Sequence, residues 1–179
     1  MSAGKASLLT TWRHGTADIP AKGLAVSRSA DPRELAEAAG YLEIPAVEKL
    51  RVDYQIAPAP GGCYRMTGRL RARVVQPCGI TLEPVRTDID EEIDVEFREP
   101  EDMPESQGHE QEALEAVEHE PIENQSLAAG RVVLETLLAA LPRFPRAEGA
   151  SLEQSEAGPR DGGTAGPFAG LAGWKPKPK

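Results

Sequence analysis

Two runs in this sequence carry charge at a spacing regular enough to do chemistry. In Cys63 to Gln76, the residues Arg65, Thr67, Arg69, Arg71 and Arg73 share one parity and Met66, Leu70, Ala72 and Val74 the other. A strand sends such alternate residues to opposite faces, so one face is basic and the other apolar. A row of guanidinium groups on one face is what contact with RNA phosphates would use. From Thr87 to Arg98 the pattern returns with opposite sign: Asp88, Asp90, Glu92, Asp94 and Glu96 alternate with Ile89, Ile93, Val95 and Phe97, and Glu91 falls out of phase. If the two strands pair antiparallel with both apolar faces toward the core, the arginines lie beside the acids. Each exposed cross-strand ion pair contributes only a few tenths to about 1 kcal/mol, but together the pairs help to set the register. Internal pairing is therefore the preferred reading of the arginine row, with RNA contact through Arg65, Arg69, Arg71 and Arg73 as the alternative.

Other chemistry is sparse. No phosphate-binding Gly-rich loop, dinucleotide turn, zinc pattern or nucleophile elbow is present, and His14, His109 and His119 form no constellation. His14 is expected near a flexible start, and the other two as solvated side chains. Cys63 and Cys78 are too few for a disulfide framework and are expected as free thiols. No catalytic residue, metal or cofactor is assigned, and an enzyme is not expected. The reading from a different class is a small metal-dependent hydrolase built from scattered carboxylates.

The elements that must position these rows follow from composition and punctuation. The chain has 179 residues, 40% of them hydrophobic, which suits one modest core. Gly (17) and Pro (16) are frequent and aromatics make up only 4%, so part of the length is expected as loop or tail. The net charge is −9, unevenly placed: from Asp88 to Glu123 there are 16 acids and one base, Arg98, giving −15, which leaves +6 for the rest. An apolar run long enough to span a membrane is absent, and Met1 to Gly15 lacks the pattern of a signal peptide, so a cytoplasmic protein is expected, without membrane partner or small-molecule substrate.

Asp31-Pro32-Arg33-Glu34 reads as a capped helix start, stopped by Gly40. Ala46 to Leu50 reads as one further turn, Arg51 to Ala57 as a strand, and Pro58 to Gly62 as a turn into the arginine strand. A loop of about ten residues leads to the acidic strand. Pro100 to Pro121 is expected as a mobile acidic loop with a short helix over Glu110 to Glu118. Ser126 to Leu141 is the strongest helix, with Leu127, Leu134, Leu137, Leu138 and Leu141 as its apolar stripe. The expectation is an α+β fold: an antiparallel β-meander with helices on one face, one domain over 10–146, and a flexible tail over 147–179.

The order of these features resembles the YceD family, the large ribosomal RNA subunit accumulation proteins. The resemblance is carried by the Gly-x-Leu-x-Ala-x-Val run from Gly68 to Val74, by Gln76-Pro77-Cys78 and Leu82-Glu83-Pro84, and by the terminal Pro167-Phe168-Ala169-Gly170-Leu171-Ala172. It runs over about residues 10 to 175. It implies a non-catalytic factor needed for accumulation of 23S ribosomal RNA during ribosome biogenesis. Many relatives have a C-x-x-C pair where this chain has Val75-Gln76-Pro77-Cys78, so a metal or redox role of that pair has no support here.

Two partner modes follow from the charges. A basic ribosomal protein, or a large-subunit precursor containing it, would be drawn to the acidic segment, with Glu110, Glu112 and Glu115 as contacts. Ribosomal RNA would meet the arginines and the terminal Lys175, Lys177 and Lys179. Phe168, Leu171 and Trp174 form an apolar cluster that could anchor either partner. The acidic segment favours the protein.

Overall fold

The computed structural model of the protein describes residues 11–103 and 118–151. Its framework is a five-stranded sheet of β2 (Leu24–Ser29), β3 (Ala46–Ala59), β4 (Cys63–Pro77), β5 (Pro84–Arg98) and β6 (Glu118–Pro121), in that spatial order. A two-stranded clip joins β1 (His14–Gly15) to β7 (Ser126–Leu127), and the helices are α1 (Pro32–Tyr41) and α2 (Ala129–Ala140). β2 to β5 run antiparallel as a meander, whereas β6 pairs with β5 in parallel. The α+β architecture with helices on the sheet's apolar face is as the sequence predicts.

The alternation sorts the two faces. Val52, Ile56, Met66, Leu70, Val74, Ile93, Val95 and Phe97 are buried and, with Val133, Leu134 and Leu137 of α2 and Ala38 and Ala39 of α1, form one core. The arginine and acid rows lie on the opposite, outer face. Gly68 belongs to this pattern for a reason of space: a Cβ there would sit 2.5 Å from the Asp53 carbonyl oxygen and from the Tyr54 Cβ. Only a residue without a side chain lets β3 and β4 approach so closely at that pair.

Several local expectations change. Ala46 to Leu50 is not a helical turn but the first part of β3, because pairing with Val74, Val75, Ala72 and Arg73 outweighs the local preference. A register shift between Val47 and Lys49 accommodates Glu48. The loop before β5 is shorter than expected, since pairing runs out to Pro77 and Pro84. Leu24–Ser29, which carried no reading from sequence, is the edge strand β2.

The capping box of α1 is present. The Asp31 carboxylate accepts from the Arg33 and Glu34 N–H groups at 2.8 and 2.9 Å, and Glu34 accepts from the Asp31 N–H at 3.0 Å. Gly40 lies within the helix, which ends one residue later. α2 starts at Ala129 rather than Ser126, since Ser126 and Leu127 pair with β1. No side chain caps it; the Gly130 N–H instead donates to the Trp12 carbonyl at 2.8 Å. Leu134 and Leu137 are buried, but Leu138 faces outward and Val132 and Val133 take its place.

The N-terminal segment is anchored to this frame. The Trp12 indole donates to the buried Glu34 carboxylate at 2.8 Å, Arg28 pairs with the same carboxylate at 2.9 Å, and the Arg28 guanidinium lies 4.6 Å from the Trp12 ring centre. Burial pushes the Glu34 carboxyl up, but the Asp31 N–H, Trp12, Arg28 and Thr11 outweigh it and hold it below its ordinary value. His14, expected near a flexible start, is half-buried and shares a 2.7 Å hydrogen bond with the Tyr54 hydroxyl. Burial first, and then Arg28, lower its pKa and favour the neutral ring.

Between Pro100 and Pro121, the described residues form a 3-10 turn at Pro100–Asp102 and strand β6. Most of the helix predicted over Glu110 to Glu118 lies outside the described residues, and Glu118 itself opens β6. The Asn124-Gln125 pair, both with positive φ (51° and 56°), makes the tight turn from the end of β6 into β7. The tail beyond residue 151 also lies outside the described residues.

Candidate functional site

The register brings the four arginines of β4 to the outer face, opposite the acids of β5. Arg65 makes two bonds to Asp94, at 2.7 and 2.6 Å, Arg73 two to Asp88, at 2.7 and 2.9 Å, and Arg69 one to Asp90 at 2.5 Å. Two of these are diagonal: Arg65 stands directly opposite Glu96 and Arg69 opposite Glu92. A long guanidinium side chain in a twisted sheet reaches the diagonal neighbour. These hydrogen bonds hold the Asp88, Asp90 and Asp94 carboxyls below their ordinary values.

Arg71 is held more loosely, 3.6 Å from Asp90 and 3.9 Å from Asp53. Asp53 in turn bonds Arg51 at 3.1 Å and accepts from the Ser27 hydroxyl at 2.5 Å, so the lattice crosses four strands. As a phosphate-binding row, these arginines are already engaged by carboxylates of their own chain.

A different group of acids faces the helix side. Glu91, out of phase in the alternation, projects from β5 on the face that carries Ile89 and Ile93, opposite Leu70, and is exposed. Glu118 and Glu120 of β6 stand beside Val95 and Phe97 and meet Glu135 of α2. One carboxylate oxygen of each of Glu118, Glu120 and Glu135 lies within 4.8 Å of the others.

Arg131 closes the inner end of this group. It bonds Glu120, lies 3.6 Å from Glu135 and reaches Glu123 at 3.5 Å. A divalent cation seated among the three glutamates would compete with that guanidinium. Burial, followed by Glu120, raises the Glu135 pKa, with Glu118 adding to the effect and Arg131 opposing it. Beyond Arg131 the group opens into a cleft of about 460 Å³ between the edge of β5 and α2, lined by Glu91, Ile93, Val95, Glu118, Glu135, Thr136 and Ala140.

Sequence reasoning assigned neither Glu91 nor Glu135 to a site, and Glu118 only as part of the acidic segment Glu99 to Glu123 expected to meet a basic protein. The break that Glu91 makes in the alternation was the one signal for it; the meeting of Glu118 with Glu135 depends on the β6 pairing. Glu110, Glu112, Glu115, Phe168, Leu171, Trp174, Lys175, Lys177 and Lys179 lie outside the described residues. His119, expected to be solvated, is half-buried on β6, and its Nδ1 has no hydrogen-bond partner among the described residues.

Both cysteines are free and buried. The Cys78 sulfur accepts N–H bonds from Ile80, Thr81 and Ala147 at 3.3 to 3.4 Å. The Thr81 side chain and these backbone groups pull its pKa down to about 6. Those bonds tie the loop after β4 to the segment that follows α2, where Gln76 also donates to the Pro142 carbonyl at 3.2 Å.

No helix among the described residues is long and apolar enough to cross a membrane. A family model described as "Large ribosomal RNA subunit accumulation protein YceD" matches residues 66–172. The match takes in the Gly68 to Val74 run, the Cys78 to Pro84 region and the terminal Pro-Phe-Ala motif; α1 and strands β1 to β3 lie before it. It covers more than half of the chain, which therefore belongs to the YceD family. No curated protein and no solved structure matches the chain.

Proposed function

We propose that this YceD-family chain serves accumulation of 23S ribosomal RNA as a non-catalytic binding factor, by holding a basic ribosomal protein of the large subunit during assembly. The observation that carries this reading is the contrast between the two charge sets. The arginines that would have met RNA are bonded to Asp88, Asp90 and Asp94, while Glu91, Glu118 and Glu135 border a cleft on the other side of the sheet. Further acids between Glu99 and Glu123, among them Glu110, Glu112 and Glu115, add to the same negative field. Such a field repels RNA phosphates and steers a basic protein toward it, with strong salt dependence. Phe168, Leu171 and Trp174 supply an apolar anchor in this reading.

Sedimentation of cell lysate through a sucrose gradient at low salt should place the protein with large-subunit precursors. Its confinement to the free-protein fractions would overturn the reading. Pull-down after ribonuclease treatment should retain an identified basic ribosomal protein, and Glu110→Gln/Glu112→Gln/Glu115→Gln should weaken that capture while leaving the thermal melt unchanged. Loss of every ribosomal protein on ribonuclease treatment would transfer the role to RNA contact.

A further inference from the structure

β5 extends well past its outer neighbour. β6 pairs only with Val95 to Arg98, and among the described residues nothing pairs with the same edge from Pro84 to Asp94. An open edge of that length presents unpaired backbone N–H and C=O groups and is a template for another strand. Here it is coupled to the cleft, whose floor is Ile93 and Val95 and whose far wall is Thr136, Ala139 and Ala140 of α2.

We infer that the β5 edge takes an extended, lysine- and arginine-rich segment of the partner as an added strand alongside Pro84 to Asp94. This deepens the proposed function and rests on it for the partner's class. The occupant is chosen by charge. A strand laid along this edge alternates its side chains, setting one row against Glu91 and, at the cleft's inner end, Glu118 and Glu135, and the other beside Glu92. Glu92 is 84% exposed, and its nearest cation, Arg69, is 3.8 Å away and engaged by Asp90. Basic residues therefore fit on both rows. A second copy of this chain would set glutamate against glutamate. Apolar residues in the incoming segment would rest on Ile93 and against the alanines of α2.

The test uses the full-length chain and a fluorescent peptide of about ten residues repeating lysine-lysine-valine, which sets lysines on both rows. Binding should be saturable, weaken as salt rises and slow amide hydrogen exchange over residues 85–94. An equally charged peptide N-methylated at alternate residues lacks one edge's donors and should bind at least about tenfold more weakly. Glu91→Gln/Glu118→Gln/Glu135→Gln removes like-charge repulsion, should melt no lower than the parent and should also cost at least about tenfold in affinity.

Equal binding of the two peptides, or protection elsewhere in the chain, would overturn strand addition. Binding seen only after Lys175, Lys177 and Lys179 are replaced by alanine would assign the edge to this chain's own tail and overturn the partner assignment. If the triple glutamine variant still captures its ribosomal protein in full, the edge inference falls and the proposed function stands. If the peptide seats on β5 but no basic ribosomal protein is captured from lysate, the proposed function and the ribosomal partner fall, leaving a peptide-binding edge.

Discussion

The two sides of β5 show the same kind of group put to opposite uses. On the outer face Asp88, Asp90 and Asp94 each meet an arginine of β4 within hydrogen-bonding distance, and their carboxyls are held below their ordinary values. On the inner face Glu91 has no such partner in the register, and Glu135, packed with Glu118 and Glu120, has its pKa raised. The first set returns its electrostatic energy to the fold. The second leaves part of its charge uncompensated on the border of the cleft. A carboxylate's contribution thus depends less on its presence in a strand than on which face the strand's period gives it.

The largest test of this contrast is to remove the cation bonded to the inner glutamates. Arg131→Leu would leave Glu120, buried at 8% exposure, beside Glu118 and Glu135 without a counter-charge. It should lower unfolding stability by about 3 kcal/mol, the size expected when one partner of a largely buried ion pair is lost, as measured by urea denaturation. Next is the outer lattice. Reversing Asp90, Glu92 and Asp94 to lysine places them among the β4 arginines and should lower the thermal midpoint through several small repulsions; a melt unchanged from the parent would show that the rows do not fix the register.

A double-mutant cycle on Arg69→Ala and Asp90→Ala isolates one pair and should give a small favourable coupling that declines with added salt. The smallest effect has the opposite sign: Glu135→Gln should raise stability at neutral pH by about 0.5 kcal/mol, a solvent-screened value, first by removing the burial cost of its charge and then by relieving repulsion from Glu120 and Glu118.

The two sets should also separate by pH. The carboxyls of Asp88, Asp90 and Asp94 are lowered from 3.8, so their stabilisation is present above that value and is lost as pH falls through the depressed ones. Glu135 is raised from 4.5, so the stability associated with its protonated form is present below 4.5 and is lost as pH rises through the higher value. Denaturation midpoints of Glu135→Gln and the parent should therefore converge toward acid pH and diverge above pH 4.5. Parallel curves would remove Glu135 from the repulsive set.

Much of this fold was legible because its decisive patterns are local. The alternation at Arg65 to Val74 and Asp88 to Phe97 defines two strands and assigns a face to each side chain, whatever surrounds them. Asp31, Pro32 and Glu34 likewise mark the start of α1 within four residues. Ala46 to Leu50 was misread because its helical preference was local while its strand pairing was not. α2 was placed too early because the residues that displace its start, His14 and Gly15, are distant in sequence.

What the sequence by itself determined is the pair of complementary charge rows and the α+β class, since both follow from side-chain period and from the sign of each residue. The tertiary structure alone decided that β6 adds in parallel to only four residues of β5, that Glu118 and Glu120 thereby meet Glu135, and that Glu91 to Val95 border a cleft. Those outcomes depend on which backbone groups find partners across long sequence separations, and no local period encodes that choice.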